Sequence, residues 1–288
     1  MDYNAMIQNR KSVREFQDTK VPESILDKIK QYYDSGCKKL VPSIHTELHF
    51  FGCGSREKLK GAAGYHDFMI GNADYFVILS DDADFMMENA GFIAEDLILH
   101  MTEWNLGSCW LTFEDGEEIK KALAIESDKR VVAIVAFGFE KKSSKRIYLN
   151  IKSMSKIDID VKRGYYSQHL GIDGMVFSGK WGNQTGVYEE IGDMDHPLWQ
   201  AFYAVSLSPS YLNRQPYGFV LDGGAVVLIS KSDAYTDQND QKLNLGIVML
   251  HFSAVAAQMT GKLTWTLGSY EKDLGLPPTY KAVAYCRL

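Results

Sequence analysis

Apolar residues along the chain follow two patterns, a helical spacing and short continuous runs, which together predict a protein of mixed α-helices and β-strands. Helical spacing with one apolar face predicts helices at 22–33, 89–106, 197–205 and 243–259, with shorter ones at 55–63 and 117–123. Continuous or alternating apolar runs predict strands at 47–51, 75–79, 131–137, 218–221, 225–229 and 280–286. Pro22 and Pro197 each open a predicted helix, a position where proline is favoured.

The order of these elements repeats. Helix, loop, strand, strand, long helix and strand occur once before residue 140 and once after residue 192. Between them, 140–146 is predicted as a charged loop and 150–192, which is rich in glycine, as an irregular connection that wraps the surface. We therefore predict a first repeat over 1–150, a wrapping connection over 151–192 and a second repeat over 193–288.

Composition narrows the class of protein. A net charge of −6 over 288 residues argues against a general surface for nucleic acid or anionic membranes. No apolar run approaches the roughly 20 residues that span a bilayer, and the N-terminus lacks the build of a signal peptide, so we expect a cytoplasmic protein. The four cysteines show no C-x-x-C pairing and no zinc-type spacing, so neither a disulfide scaffold nor a metal site is expected.

The two repeats differ in the polar residues that they keep. When Pro22 is aligned with Pro197, the amide-containing loop 208–217 falls opposite 33–42, which has no Asn or Gln. The cationic segment 10–14 falls opposite 185–189, which has no Lys or Arg. If an ancestral dimer built each site from both segments, a fused chain that keeps one of each would keep one site.

Each segment has a chemistry of its own and a simpler alternative. The guanidinium, ammonium and hydroxyl groups of 10–14 suit a phosphate monoester, although most short basic clusters are solvated surface. A second basic group at 141–146 can reach the same phosphate or can be a solubilising turn. Segment 107–112 places an aromatic residue and backbone N–H groups after a predicted helix end, where a ring system could rest; the alternative is a simple helix stop.

Three segments together resemble a known family. RKSVREF at 10–16, NLGSCW at 105–110 and PSYLNRQPY at 209–217 are similar to the signature segments of the FMN-dependent nitroreductases. The chain most resembles the single-chain, internally duplicated members of that family. The resemblance implies an α+β fold, an α/β/α sandwich with a mainly antiparallel sheet, in which two repeats form an intramolecular pseudo-dimer.

The resemblance also implies roles for individual residues of the first repeat. Phosphate and ribityl contacts are expected from Arg10, Lys11, Ser12, Lys145 and Arg146. Lys58 matches a lysine at the pyrimidine edge of the flavin, although a solvated helix lysine is the simpler reading. The ring is expected to lie against Trp110, Leu111 and Thr112, with a backbone N–H near Thr112 or Phe113 approaching flavin N5.

In the second repeat, the resemblance implies that Ser210, Tyr211 and Asn213 reach the ring or the ribityl chain across the former dimer interface. Two residues depart from the family pattern there. Tyr211 stands where a small residue is common, and Tyr217 where Trp is usual. Both changes bear on the width of the pocket and hence on the substrate.

The function implied by the resemblance is an FMN-dependent NAD(P)H oxidoreductase that reduces nitroaromatic, quinone or similar acceptors by ping-pong hydride transfer. The flavin carries the chemistry, so no catalytic side chain is required. The alternative is a flavin-binding carrier or sensor without turnover, and related activities such as dehalogenation or flavin breakdown are not distinguished by these motifs. We expect a monomer that acts as a pseudo-dimer, one flavin per chain, and a small-molecule electron acceptor as partner.

Overall fold

The structure is a computed structural model that describes residues 2–64, 69–141, 145–153, 156–163 and 169–288; for 145–153, 156–163 and 258–260 it describes the backbone alone. The first part of the chain forms α1 (Tyr3–Asn9), α2 (Glu23–Ser35), β1 (Thr46–Phe51), α3 (Arg56–Leu59), β2 (Asp74–Ser80), α4 (Met86–Glu103), β3 (Gly107–Leu111), α5 (Gly116–Leu123) and β4 (Arg130–Gly138). The rest forms β5 (Lys145–Ser153), β6 (Lys156–Arg163), β7 (Val176–Ser178), α6 (Val187–Ile191), α7 (Pro197–Ser206), β8 (Tyr217–Asp222), β9 (Ala225–Ser230), α8 (Gln238–Thr260), β10 (Thr266–Leu267) and β11 (Lys281–Arg287).

Two sheets of the same topology confirm the predicted duplication. The first has the strand order β1-β2-β4-β3, and the second has β8-β9-β11-β10 with β7 added at the β8 edge. Every pair in these two sheets is antiparallel except β7 with β8. Strands β2 and β4 are buried almost throughout, as continuous apolar runs predict. The fold is therefore α+β with two repeats.

The long helices α4 and α8 cross at the centre of the molecule, where each contributes a glycine. A Cβ on Gly246 would lie 2.0 Å from the carbonyl oxygen of Glu88, and a Cβ on Gly91 would lie 2.3 Å from that of Leu243. These two contacts are equivalent, because adding 155 to the residue number relates Gly91 to Gly246 and Glu88 to Leu243. The two helices are thus equivalent elements packed about a pseudo-twofold axis.

The same shift of 155 residues relates Asn89 to Asn244 and Trp110 to Trp265. The shift of 175 residues, which comes from aligning Pro22 with Pro197, makes α2 the counterpart of α7. It does not relate the long helices α4 and α8 to each other. The loops that join the elements differ in length between the repeats, so no single shift applies along the chain.

The core continues across the junction of the two repeats. One cluster of buried side chains includes Tyr3 and Ile7 of α1, Phe92 of α4, Phe202 of α7 and Phe252 of α8. The first helix of the chain therefore packs into the second repeat. The two repeats share a core and fold as one unit.

The structure corrects several predictions about connections. The irregular connection predicted at 150–192 is wrong, because β5 and β6 pair as an antiparallel hairpin, β7 joins the second sheet and α6 follows. Alternation of Ile or Val with charged residues at 156–163 is a strand signal that the glycine content obscured. The charged loop predicted at 140–146 overlaps β5, which begins at Lys145, and the helix predicted at 55–63 is shortened to α3.

Residues 107–111 form an edge strand, β3, where the sequence predicted either exposed backbone N–H groups after a helix end or a simple helix stop. Its residues pair with β4, and Ser108 also accepts a backbone hydrogen bond from Val13 at 2.8 Å. The chain just after α1 is therefore laid along β3. In the part of the chain that the structure describes, no helix is long and apolar enough to cross a membrane.

Candidate functional site

Helix α8 presents three polar side chains on one face, towards the junction between the repeats. Asp240, Asn244 and His251 lie about one and then two helical turns apart, so they point in the same direction. Asn244 and His251 are buried. We call these three residues the polar face of α8.

Each residue of the polar face bonds to a different element. The hydroxyl of Thr112, just past β3, donates to Asp240 Oδ2 at 2.8 Å. The backbone N–H of Tyr211 donates to Asn244 Oδ1 at 3.3 Å, and His251 Nδ1 lies 2.9 Å from Ser208 Oγ. Strand β3 of the first repeat and the loop 208–213 of the second therefore meet on α8.

A buried carboxylate, Glu95 of α4, extends this junction to the start of the chain. His251 Nε2 lies 3.1 Å from Glu95 Oε1, and the indole N–H of Trp110 donates to Oε2 at 2.9 Å. Arg10 Nε lies 3.7 Å from Oε1. Burial by itself raises the pKa of Glu95, but the hydrogen bond from His251 and the charge of Arg10 outweigh it and hold the pKa below its ordinary value.

The contacts of Glu95 bring together two segments that are far apart in sequence. Arg10 belongs to the cationic segment and Ser208 to the amide loop, and they are joined through Glu95 and His251. The convergence that the duplication argument requires is therefore present in the fold. We take the junction of Arg10, β3, loop 208–213 and the polar face of α8 as the candidate site.

The cationic segment does not point all its side chains in one direction. The Arg10 side chain is 7% exposed and faces Glu95, whereas that of Lys11 is 63% exposed and pairs with Glu140 at 2.7 Å. Ser12 forms a backbone bridge with Ser108 of β3. Arg10 and Ser12 thus lie at the candidate site, while the Lys11 side chain is turned away from Glu95.

The other residues of the first repeat that the resemblance names have varied surroundings. Leu111 is buried in a core cluster, and the partly buried Phe113 packs against the same cluster. Lys58 is exposed on α3. Lys145 and Arg146 open β5, and their side chains lie outside the described residues.

The amide loop holds three non-glycine residues in the left-handed backbone region. Leu212, Asn213 and Gln215 have φ of 47°, 56° and 46°, and Leu212 is 51% exposed. Such backbone conformations cost about 1–3 kcal/mol each and cluster at ligand sites. Ser210 stabilises the loop, because its hydroxyl accepts from Gln215 N at 2.9 Å and its carbonyl accepts from Asn213 N at 2.9 Å.

Two residues of this loop serve the interior and not a pocket. The Gln215 side chain donates to the carbonyl of Ser206 at 2.9 Å and accepts from Leu170 N at 2.6 Å. Tyr217 is fully buried at the start of β8, and burial raises the pKa of its hydroxyl. The expectation that Tyr217 affects the width of the pocket is therefore wrong.

Four residues of the site were missed in the sequence: Glu95, Asp240, Asn244 and His251. Polar residues in the middle of a strongly apolar helix are a signal for a buried network, and Glu95 and His251 both fit it. Asp240 lay outside the predicted helix because α8 begins at Gln238, five residues before the apolar spacing starts.

The counterpart of the polar face on α4 keeps one of its hydrogen bonds. Asn89 Oδ1 accepts from Val41 N at 2.9 Å, as Asn244 Oδ1 accepts from Tyr211 N. The helix–loop contact is therefore common to both repeats. It belongs to the architecture and does not by itself mark a ligand site.

The repeats differ at the position of His251. The shift of 155 residues relates His251 to Asp96, which accepts hydrogen bonds from the hydroxyl groups of Tyr3 at 2.7 Å and Tyr32 at 2.8 Å and from Lys38 N at 2.8 Å. Two hydroxyl groups and one backbone N–H of the first repeat thus surround Asp96. Groups of the chain therefore fill the position related to His251, and among the described residues the junction at Arg10 is the candidate site.

The fold defines the class of protein: an α+β pseudo-dimer in which residues of both repeats meet at a polar junction. A family model described as "Putative TM nitroreductase" matches residues 3–170, more than half of the chain. The chain belongs to this nitroreductase family.

A solved structure with a TM-score above 0.5 supports the fold. The crystal structure of a "putative nitroreductase" from Thermotoga maritima MSB8 is 17% identical, covers 100% of this chain and 93% of its own, and superposes with a TM-score of 0.59. An FMN-dependent nitroreductase from Clostridium difficile R20291 is 22% identical over 48% of this chain and 88% of its own, with a TM-score of 0.41. No curated protein sequence matches the chain.

Proposed function

We propose that the chain is an FMN-dependent NAD(P)H oxidoreductase that reduces nitroaromatic, quinone or similar acceptors. The observation that carries this proposal is the junction itself: Glu95 and His251 join Arg10 of the cationic segment to Ser208 of the amide loop. A fused pseudo-dimer that keeps one cationic segment and one amide loop can build one flavin site. The proposal includes a monomeric state, since the two repeats already pack as the halves of a dimer.

The residues at the junction fit FMN. Arg10 Nε is buried and has no hydrogen-bond partner among the described residues, so a donor is available for a phosphate or ribityl oxygen. Ser12, Thr112, Ser210 and Asn213 add hydroxyl and amide groups along the same junction. These five residues would hold the cofactor.

The protein groups act by binding and orientation. Glu95 orients the Arg10 guanidinium and offsets part of its charge. Arg10 therefore contributes directed hydrogen bonds to the cofactor as well as electrostatic attraction. FMN, when bound, accepts a hydride from NAD(P)H and passes it to the acceptor. Nicotinamide and acceptor use the same position in turn, which gives the ping-pong order.

The test is cofactor binding followed by turnover. Purified protein with excess FMN should give a yellow complex after gel filtration and should oxidise NADH or NADPH when menadione is added. If the protein shows no flavin spectrum and no NAD(P)H oxidation, the proposal is overturned. A flavin spectrum without turnover would favour the carrier or sensor.

A further inference from the structure

Asp240 is an acidic residue of the candidate site that the binding of FMN does not require. It lies in the first turn of α8, and its Oδ2 accepts from the Thr112 hydroxyl at 2.8 Å across the junction between the repeats. The helix is held there by the Asp237 side chain, which caps the backbone N–H of Asp240 at 2.8 Å. The carboxyl group is thus fixed beside the end of β3.

The surroundings of Asp240 favour its neutral form. Burial, and then the charge of Asp237, raise the pKa of Asp240 to about 6, while the Thr112 hydroxyl opposes the rise. Asp237 is the charged group that acts on it among the described residues, and its other neighbours at the junction, Thr112 and Asn244, are uncharged. A carboxyl with this pKa can both hold and release a proton near neutral pH.

We propose that Asp240 is the acid of this site and gives its proton to the acceptor as the acceptor is reduced. The assignment rests on the proposed function, because it needs an acceptor bound at the end of β3 next to Thr112. Asp240 is then a catalytic residue and not only part of the helix cap.

The proton balance for a quinone shows the step at which Asp240 acts. A hydride from NAD(P)H, delivered through the flavin, brings two electrons and one proton, so the quinone becomes a hydroquinone monoanion. The O–H bond of Asp240 then breaks, its proton forms the second O–H bond of the hydroquinone, and the carboxylate regains a proton from water. The sum is quinone, NAD(P)H and one proton giving hydroquinone and NAD(P)+.

Glu95 and His251, two other titratable groups of the junction, do not suit this role. Glu95 is fully buried and has a lowered pKa, so it stays ionised. His251 is fully buried between Glu95 and Ser208. Asp240 is only partly buried, which leaves it a route to water for reprotonation.

The kinetic test measures the half-reaction in which menadione reoxidises the photoreduced protein. In the wild type, we expect its rate to fall about tenfold for each pH unit above the pKa of Asp240. Asp240→Asn should be slower by about 100-fold or more at pH 6, and its rate should no longer fall with pH. Asp240→Glu should restore the fall with pH. Asp84→Asn, which changes an exposed residue next to α4, should behave as wild type. A wild-type profile in Asp240→Asn would overturn the proposal.

Thr112 offers a second variant that keeps the carboxyl. Because the Thr112 hydroxyl lowers the pKa of Asp240, Thr112→Val should move the fall in rate to higher pH, whereas Thr112→Ser should leave it in place. An unmoved profile in Thr112→Val would count against the pairing. This comparison also serves if Asp240→Asn does not fold.

The midpoint potential of the bound flavin is a readout that does not depend on turnover. Reduced flavin is anionic, so an ionised Asp240 disfavours it, and Asp240→Asn should have a less negative potential than wild type at pH 8 but the same potential at pH 5. Equal potentials at both values would overturn the placement of Asp240 beside the flavin. Failure of both proteins to bind FMN would instead overturn the proposed function.

Discussion

Replacing Glu95 with glutamine tests the network that joins the repeats. The change removes one charge at nearly constant size from a side chain with no exposed surface. His251 and Trp110 then face an amide that can accept from one of them and presents its NH₂ group to the other. The Arg10 guanidinium, 7% exposed, loses the carboxylate that balances it.

The size of the effect follows from the burial of all partners. Breaking a buried ion pair by removing one partner costs about 3–5 kcal/mol, because an uncompensated charge stays in the interior. We expect the lower part of this range, about 3 kcal/mol, since glutamine keeps part of the hydrogen bonding. For a chain of 288 residues this lowers the melting temperature by roughly 5 °C.

The assay is urea unfolding of Glu95→Gln beside Glu103→Gln, the same substitution at an exposed position of the same helix. The folded-state pKa of Glu95 is depressed, so its contribution is complete above its ordinary value of 4.5 and is lost as the pH falls through the lower folded value. The difference between wild type and Glu95→Gln should therefore be constant from pH 6 to 8 and shrink below 4.5. A loss no larger than that of Glu103→Gln at pH 7 would refute the reasoning.

Three further predictions follow from the packing and the site. Gly246→Ala should destabilise the protein by about 1–3 kcal/mol in the same urea assay, because the new Cβ would meet the backbone of α4. Gly171→Ala, which has open space around it, should not destabilise the protein. Equal stabilities of the two variants would contradict the crossing geometry of α4 and α8. Arg10→Ala should weaken FMN binding, measured by fluorescence quenching on folded protein, by about 1.5–3 kcal/mol, and the outward-facing Lys11→Ala should weaken it less; an unchanged affinity in Arg10→Ala would remove Arg10 from the site. Light scattering with flavin analysis should give a monomer with one FMN, since the position related to the site by pseudo-symmetry is filled around Asp96; a stable dimer or two flavins per chain would contradict the pseudo-dimer.

Secondary structure was readable wherever one physical pattern dominated. The long runs of β2 and β4 are buried on both faces, and α2 and α7 begin beside prolines, so periodicity and helix-start chemistry sufficed. Prediction failed where the pattern was short or mixed. The helix α1 has only seven residues, and β10 has two; both depend on tertiary contacts that a local pattern does not contain.

The candidate site was readable in its outline but not in its contacts. Short segments with guanidinium, hydroxyl and amide groups marked Arg10 and the loop 208–217. Their side-chain directions were not readable, since Lys11 is adjacent to Arg10 and also cationic, yet the backbone along β3 turns one inward and the other outward. Tyr217 and Gln215 likewise look like ligand-binding residues in sequence and are buried in the interior.

The sequence by itself determined the mixed α and β character, the internal repeat and the pair of complementary segments, because each is written in local residue types and spacing. Only the tertiary structure decided that Glu95, Asp240 and His251 stand between those segments. Their partners lie 15 to 156 residues away along the chain, and the close approach of α4 and α8 at two glycines sets their positions. A contact of that range depends on how helices pack, and no local pattern encodes it.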